Sequence, residues 1–172
     1  GALIVKKNYG KNVLMGTHIM SDGSLARDAG VKYGGCKNPI SCDNIDQAQK
    51  SLTIFNPEHM KERLNEISME NWMHCIDQSF EKAGIEKDDL GYLAVLHFKR
   101  SMHNYMLDLL NIEKDQSTYL SHYGHIGQID QILSLRLGLE DNKIEDGTVV
   151  SMIAAGIGYA WAANVIKWGE LA

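Results

Sequence analysis

Two histidines in this sequence stand in matched contexts. His97 closes the apolar run Tyr92-Leu93-Ala94-Val95-Leu96, and His125 lies within Ser121-His122-Tyr123-Gly124-His125-Ile126-Gly127-Gln128-Ile129-Asp130. Each follows a strand-like approach and precedes a helical pattern. The end of a buried strand, where a helix begins, is where an open α/β sheet places its ligands. Gly124 and Gly127 flank His125 without side chains, so a ligand or another backbone can come close. Singly, each histidine also fits a packed loop residue; as a pair they can converge on one pocket. A neutral imidazole can donate a hydrogen bond near pH 7.

The elements that would position them follow from periodicity. Residues 2–6 predict a short buried strand, and residues 7–12 carry turn chemistry with Asn8, Gly10 and Asn12. Residues 13–20 predict a second strand, antiparallel to the first in a hairpin. Residues 25–57 read as one long loop, a candidate lid or substrate-entrance segment. Asn56, Pro57 and Glu58 form a helix start, and Met60, Leu64, Ile67, Trp72, Ile76, Phe80 and Ala83 mark the core face of a helix over 58–83 that Gly84 ends. The strand at 92–96 is apolar throughout and so buried on both faces. Helices follow at 100–110 and 126–139. Strands at 148–154 and 159–168 flank the glycine-bearing loop 155–158, which makes the last strand antiparallel to its neighbour. The expected fold class is α/β: a mixed five-stranded sheet with helices packed on it.

Length and composition narrow the function. A chain of 172 residues that is 44% hydrophobic fits one domain with a full core. Its net charge of -5, with lysines and arginines scattered, gives no footprint for nucleic acid. No apolar run is long enough to span a bilayer, and the first residues lack a secretory signal pattern. Three cysteines argue for a reducing compartment, so a cytoplasmic location is expected. Cys36 and Cys42 lack a second close pair of ligands, and no metal site is expected. Cys75 lies near the apolar helix face and should be inert. No G-x-G-x-x-G follows the first strand, which sets aside a dinucleotide-binding domain. The chain opens directly on an apolar segment, as expected of either a fragment or a subunit that completes another.

Five segments together carry a family resemblance. They are the opening Gly1-Ala2 strand, Thr17-His18-Ile19-Met20-Ser21-Asp22-Gly23-Ser24, the strand ending in His97, Tyr123-Gly124-His125, and Gly156-Ile157-Gly158-Tyr159-Ala160-Trp161. In this order the chain resembles the C-terminal half of thiolase-superfamily condensing enzymes, most closely β-ketoacyl-acyl-carrier-protein synthase III. The second segment is similar to that family's T-H-x-x-A-D-G-S, and the last to its G-G-G-x-x-W-G.

The resemblance implies a thiolase-like fold of two similar halves, with the whole of residues 1–172 forming the second. It implies an acyltransferase that makes carbon–carbon bonds by Claisen condensation, with acyl-CoA or acyl-carrier-protein as substrates and no cofactor. The nucleophilic cysteine would lie in the N-terminal half, because Cys36, Cys42 and Cys75 fall where the family has no nucleophile. This chain alone should therefore be inactive, and the complete protein should be a homodimer. His97 resembles the catalytic histidine. His125 stands where synthase III has asparagine, and resembles the second histidine of elongating ketoacyl synthases. Gly156, Ile157 and Gly158 match the oxyanion-hole loop. Where the family reads H-Q-A-N-x-R, this chain has His97-Phe98-Lys99-Arg100-Ser101-Met102, making Phe98 and Arg100 candidate substrate-binding residues and leaving the carrier open. A non-catalytic thiolase-fold subunit, completing or regulating a cysteine-bearing partner, is the alternative these departures support.

Overall fold

The computed structural model describes residues 1–49 and 52–170. Its strands are β1 (Lys11–Ser21), β2 (Ala29–Val31), β3 (Leu52–Ile54), β4 (Leu90–Val95), β5 (Val149–Gly156) and β6 (Ala160–Glu170). Its α-helices are α1 (Ile45–Ala48), α2 (Pro57–Ala83), α3 (Arg100–Leu110) and α4 (Asp130–Glu140). A mixed sheet runs in the order β1-β6-β5-β4. β4 is parallel to β5, whereas β6 is antiparallel to both β5 and β1.

Strand side chains alternate between faces, and an apolar run such as β4 must therefore be covered on both. Leu90, Leu93 and Val95 join Val149, Ile153, Ala163 and Val165 under α2 and α3, which contribute Trp72, Cys75, Ile76, Phe80, Met106, Leu107 and Leu110. Tyr92, Ala94, Val150 and Met152 form the other face against Leu135 and Ile144. Fully burying a side chain such as Ile76 or Phe80 contributes roughly 1.5–3 kcal/mol. Gly138 lets α4 close on Tyr92, since a Cβ there would lie 2.6 Å from the phenol Cζ. The Tyr92 hydroxyl in turn donates to the Ser134 carbonyl at 2.8 Å.

The 27-residue helix α2 starts with Pro57 and stops at Gly84, whose φ of 64° gives the left-handed turn glycine favours. Asn56 occupies the cap position, but its side chain makes no capping bond.

Three expectations are corrected. Residues 2–6 are not a strand: Ile4 and Val5 are 97% and 86% exposed, and the sheet has four strands, not five. A strand persists by pairing, and β1, its expected hairpin partner, pairs instead with the distant β6. The 25–57 segment is not a featureless loop. It carries α1 and a separate antiparallel sheet in which Ala29, Gly30 and Val31 pair with Ile54, Thr53 and Leu52. Strands of three residues are too short for the alternation that betrays longer ones. Finally, α4 begins at Asp130 rather than Ile126, because the preceding residues fold back onto the Asp130 side chain.

Candidate active site

Asp130 is the junction of the site. It lies at the first turn of α4, where the helix dipole favours a negative charge, and its side chain is 0% exposed. Its Oδ2 accepts the His97 backbone N–H at 2.7 Å and meets His125 Nδ1 at 2.6 Å. Its Oδ1 accepts the Ile126 N–H at 2.8 Å. One carboxylate thus ties the loop after β4 to the loop before α4. Hydrogen bonds to a charged acceptor contribute about 1.5–3 kcal/mol each, so the junction is firmly held.

The same two loops are fastened to the end of β5. Leu96 N–H and Gln131 Nε2 both donate to the Ile153 carbonyl, at 3.3 and 2.9 Å. Gln128 Nε2 donates to the Ala155 carbonyl at 2.9 Å, beside Gly156. The ends of β4 and β5, His97, the His125 loop and the 156–158 turn therefore meet at one edge of the sheet. In that turn Ile157 is 54% exposed and Gly158 has a φ of 150°.

The His97 ring faces different neighbours from its backbone. It packs on Tyr119 with centroids 4.8 Å apart, and its Nδ1 is buried without a hydrogen-bond partner. Buried polar atoms are nearly always paired, and an orphan in a candidate site points to a role. The Tyr119 hydroxyl donates to the Phe98 carbonyl at 2.9 Å, and the Arg100 guanidinium lies 3.9 Å over the Tyr119 ring. Phe98 stacks on Trp72 with centroids 5.3 Å apart. His103 completes the cluster: burial, with Arg100 and His97 nearby, holds its pKa down to about 4, so it is neutral.

Of the expected residues, the structure links His97 and His125 through Asp130, though by a backbone amide in one case and an imidazole in the other. Gly156, Ile157 and Gly158 adjoin them through Gln128. Phe98 and Arg100 sit against aromatic partners beside His97. Asp130, Gln128, Tyr119 and His103 were not singled out from sequence. An acidic residue five positions after His125, at a helix start, was the available signal for Asp130. Cys75 is buried beneath the sheet and burial raises its thiol pKa, as an inert cysteine requires. A cleft of about 560 Å³, bordered by Asp89, Lys143, Glu145 and Lys167, lies at the opposite end of β5 and touches neither His97 nor His125. Among the described residues no group of three or more His, Cys, Asp or Glu side chains could hold a metal ion, and no helix is long and apolar enough to cross a membrane.

Comparison with known proteins supplies the family. Residues 80–168, just over half of the chain, match the family described as 3-oxoacyl-[acyl-carrier-protein (ACP)] synthase III C terminal. The β-ketoacyl-[acyl-carrier-protein] synthase III of Microcystis aeruginosa is 21% identical over 172 residues, covering 99% of this chain and 50% of the relative. Its counterpart from Staphylococcus epidermidis is 29% identical over 91 residues, 52% of this chain and 29% of the relative. The solved 3-oxoacyl-(acyl carrier protein) synthase III of Pseudomonas aeruginosa PAO1 shares the fold with a TM-score of 0.73 at 14% identity, covering 98% of this chain and 48% of that one. The chain spans about half the length, or less, of the curated relatives it matches. By its sequence match, and with the thiolase-like fold it shares, the chain belongs to the family of 3-oxoacyl-acyl-carrier-protein synthase III C-terminal regions.

Proposed function

We propose that the complete protein is an acyl-thioester condensing enzyme of the β-ketoacyl synthase III type. This chain supplies the histidine-bearing half, and the nucleophilic cysteine lies on an N-terminal half or subunit. The observation that carries this reading is the Asp130 junction, which fastens His97 and His125 to one buried carboxylate beside the 156–158 turn, in a chain of this family. Claisen condensation stabilises an enolate and then a tetrahedral oxyanion, and fixed donors in a dry site serve both.

Each residue then has a task. The cysteine takes the first acyl group from acyl-CoA or acyl-carrier-protein. His97 donates to the thioester oxygen of the second substrate as it becomes an enolate. The backbone N–H groups near Ile157 receive the oxyanion formed on the acyl-cysteine. Phe98, on Trp72, and Arg100, on Tyr119, line the approach of the thioester arm. Residues 25–49 and 52–57 serve as the lid or substrate-entrance segment. The complete protein works as a cytoplasmic homodimer, and this chain alone is inactive. The second reading, a non-catalytic subunit completing a cysteine-bearing partner, is favoured by one observation: the Arg100 guanidinium rests on an aromatic ring of its own chain.

The test is His97→Ala in the complete protein, with acyl-cysteine formation and carbon–carbon bond formation assayed separately. Losing one such donor costs about 10²–10³ in rate. Condensation should fall by that factor and acyl transfer by much less. Equal loss in both steps indicates a folding defect, and no loss in either favours the non-catalytic subunit.

A further inference from the structure

Asp130 determines which nitrogen of His125 carries a proton. Both its oxygens accept from backbone amides, the His97 N–H on Oδ2 and the Ile126 N–H on Oδ1. Amides only donate, and an ionised carboxylate only accepts. The third contact, at 2.6 Å, is therefore an Nδ1–H of His125 given to Oδ2. A neutral imidazole that donates from Nδ1 keeps a bare lone pair on Nε2. The Asp130 side chain is fully buried while that of His125 is 53% exposed, so the ring is anchored at its dry edge and open at the other. His97 has the opposite arrangement. Its Nδ1 is buried and has no hydrogen-bond partner, so a proton on Nε2 leaves a bare lone pair there rather than a buried N–H without an acceptor. One histidine of the site can give a hydrogen bond from Nε2, and the other can take a proton there.

We infer that His125, anchored by Asp130, is a general base, and that the second substrate is an acyl thioester whose α-carbon carries hydrogen rather than a carboxylate. The inference rests on the condensing reading above and names its substrate class. His125 Nε2 takes the α-proton, and the C–H electron pair becomes the enolate whose oxygen accepts from His97 Nε2–H. The enolate carbon attacks the carbonyl of the acyl-cysteine. A carbon–carbon bond forms, the carbon–sulfur bond breaks, and the departing cysteine thiolate recovers the proton from the His125 imidazolium. Acyl-cysteine plus acyl thioester thus gives β-ketoacyl thioester plus free thiol, with no oxidant, reductant or gas. A donor bearing an α-carboxylate draws the same electron pair from its C–COO⁻ bond and releases carbon dioxide. That route removes no proton and is served by two hydrogen-bond donors. A carboxylate locked onto the far side of one histidine is the arrangement of a base. Asp130 is a positioning residue: it holds the tautomer and stabilises the imidazolium as it forms.

The complete protein is assayed for three quantities: acyl-cysteine formation, deuterium wash-in from D₂O at the α-carbon of acetyl thioester, and condensation with acetyl or malonyl thioester. Coenzyme A and carrier-protein thioesters are separate arms. The wild type should exchange the acetyl α-hydrogens and condense acetyl thioester, with a primary isotope effect on the trideuterated substrate. Positioned bases typically contribute 10²–10⁴ in rate, so His125→Asn should lose exchange by about that factor and shift its preference toward the malonyl substrate to match. Asp130→Asn should lose exchange more than acyl-cysteine formation. Acyl-cysteine formation without α-exchange in the wild type overturns the inference and leaves the condensing reading standing. Undiminished exchange in His125→Asn also overturns it. Absence of any acyl-cysteine in the wild type overturns the condensing reading, and this inference with it. The exchange measurement needs no variant, so a misfolded mutant does not shield the idea.

Discussion

Replacing Asp130 with alanine removes the acceptor for three donors at once, and the cost can be worked from their surroundings. The His97 N–H at 2.7 Å and the Ile126 N–H at 2.8 Å both lose their partner. An unsatisfied buried donor costs about 1–3 kcal/mol. Ile126 is itself 45% exposed, so water can reach its amide in part and its loss belongs at the low end of that range. His125 is exposed enough to rehydrate its ring. The sum for Asp130→Ala is then about 3 kcal/mol, and for Asp130→Asn, which keeps one acceptor oxygen, about half of that. Urea unfolding of the complete protein reads the global effect. Hydrogen exchange at the two amides reads the local one. Since each 1.4 kcal/mol is a factor of ten, a local loss of about 2 kcal/mol speeds exchange at His97 by roughly 30-fold. Exchange at both amides within about twofold of wild type would show that the carboxylate does not hold these loops, and the reasoning would be wrong.

Two further outcomes are expected. Gly16→Ala should destabilise the complete protein by about 1–3 kcal/mol or more, because the new Cβ would run into the Ser79 carbonyl of α2, with Ala83 N at 2.9 Å; Gly10→Ala, in open space, should stay within about 0.5 kcal/mol. A urea midpoint unchanged in Gly16→Ala would mean β1 does not lie so close to α2. His103 should make stability depend on pH. Its folded pKa of about 4 lies below the ordinary histidine value of about 6.5, so between these values the unfolded chain binds the proton. Stability is full above about pH 6.5 and is lost as pH falls toward about 4, by on the order of 2 kcal/mol. His103→Leu should flatten this part of the pH profile, and an unchanged slope would refute the assignment.

What was legible in the sequence was whatever a long periodic segment encodes. The α2 face from Met60 to Phe80 repeats over several turns, and Gly84 has no better use than a left-handed stop. The apolar run of β4 could only be a strand covered twice, and the glycines after β5 mark the reversal into β6. Pairing is another matter. Leu3-Ile4-Val5 has strand chemistry, yet a strand exists only beside another, and local pattern says nothing of which partner β1 selects across more than a hundred residues. The three-residue strands β2 and β3 offer too few side chains to alternate visibly. At the site, His97 and His125 stood out by their contexts. Asp130 did not, because an acid at a helix start is already explained by the dipole. Its contact with His97 joins residues 33 apart in sequence, which only the folded chain displays. Tyr119 and His103 escaped for the same reason, since aromatic clustering around His97 depends on how α3 packs.

The most direct measurement is intact-mass and product analysis of the complete protein given a first acyl thioester and then a second. A condensing enzyme whose histidine half is this chain should first gain one acyl group on a cysteine of the N-terminal half. It should then lose that group as a β-ketoacyl thioester appears, and His97→Ala should stall it in the acylated state. An acyl group that reaches no cysteine, or that leaves only as the free acid at the same rate with and without His97, would contradict the proposal.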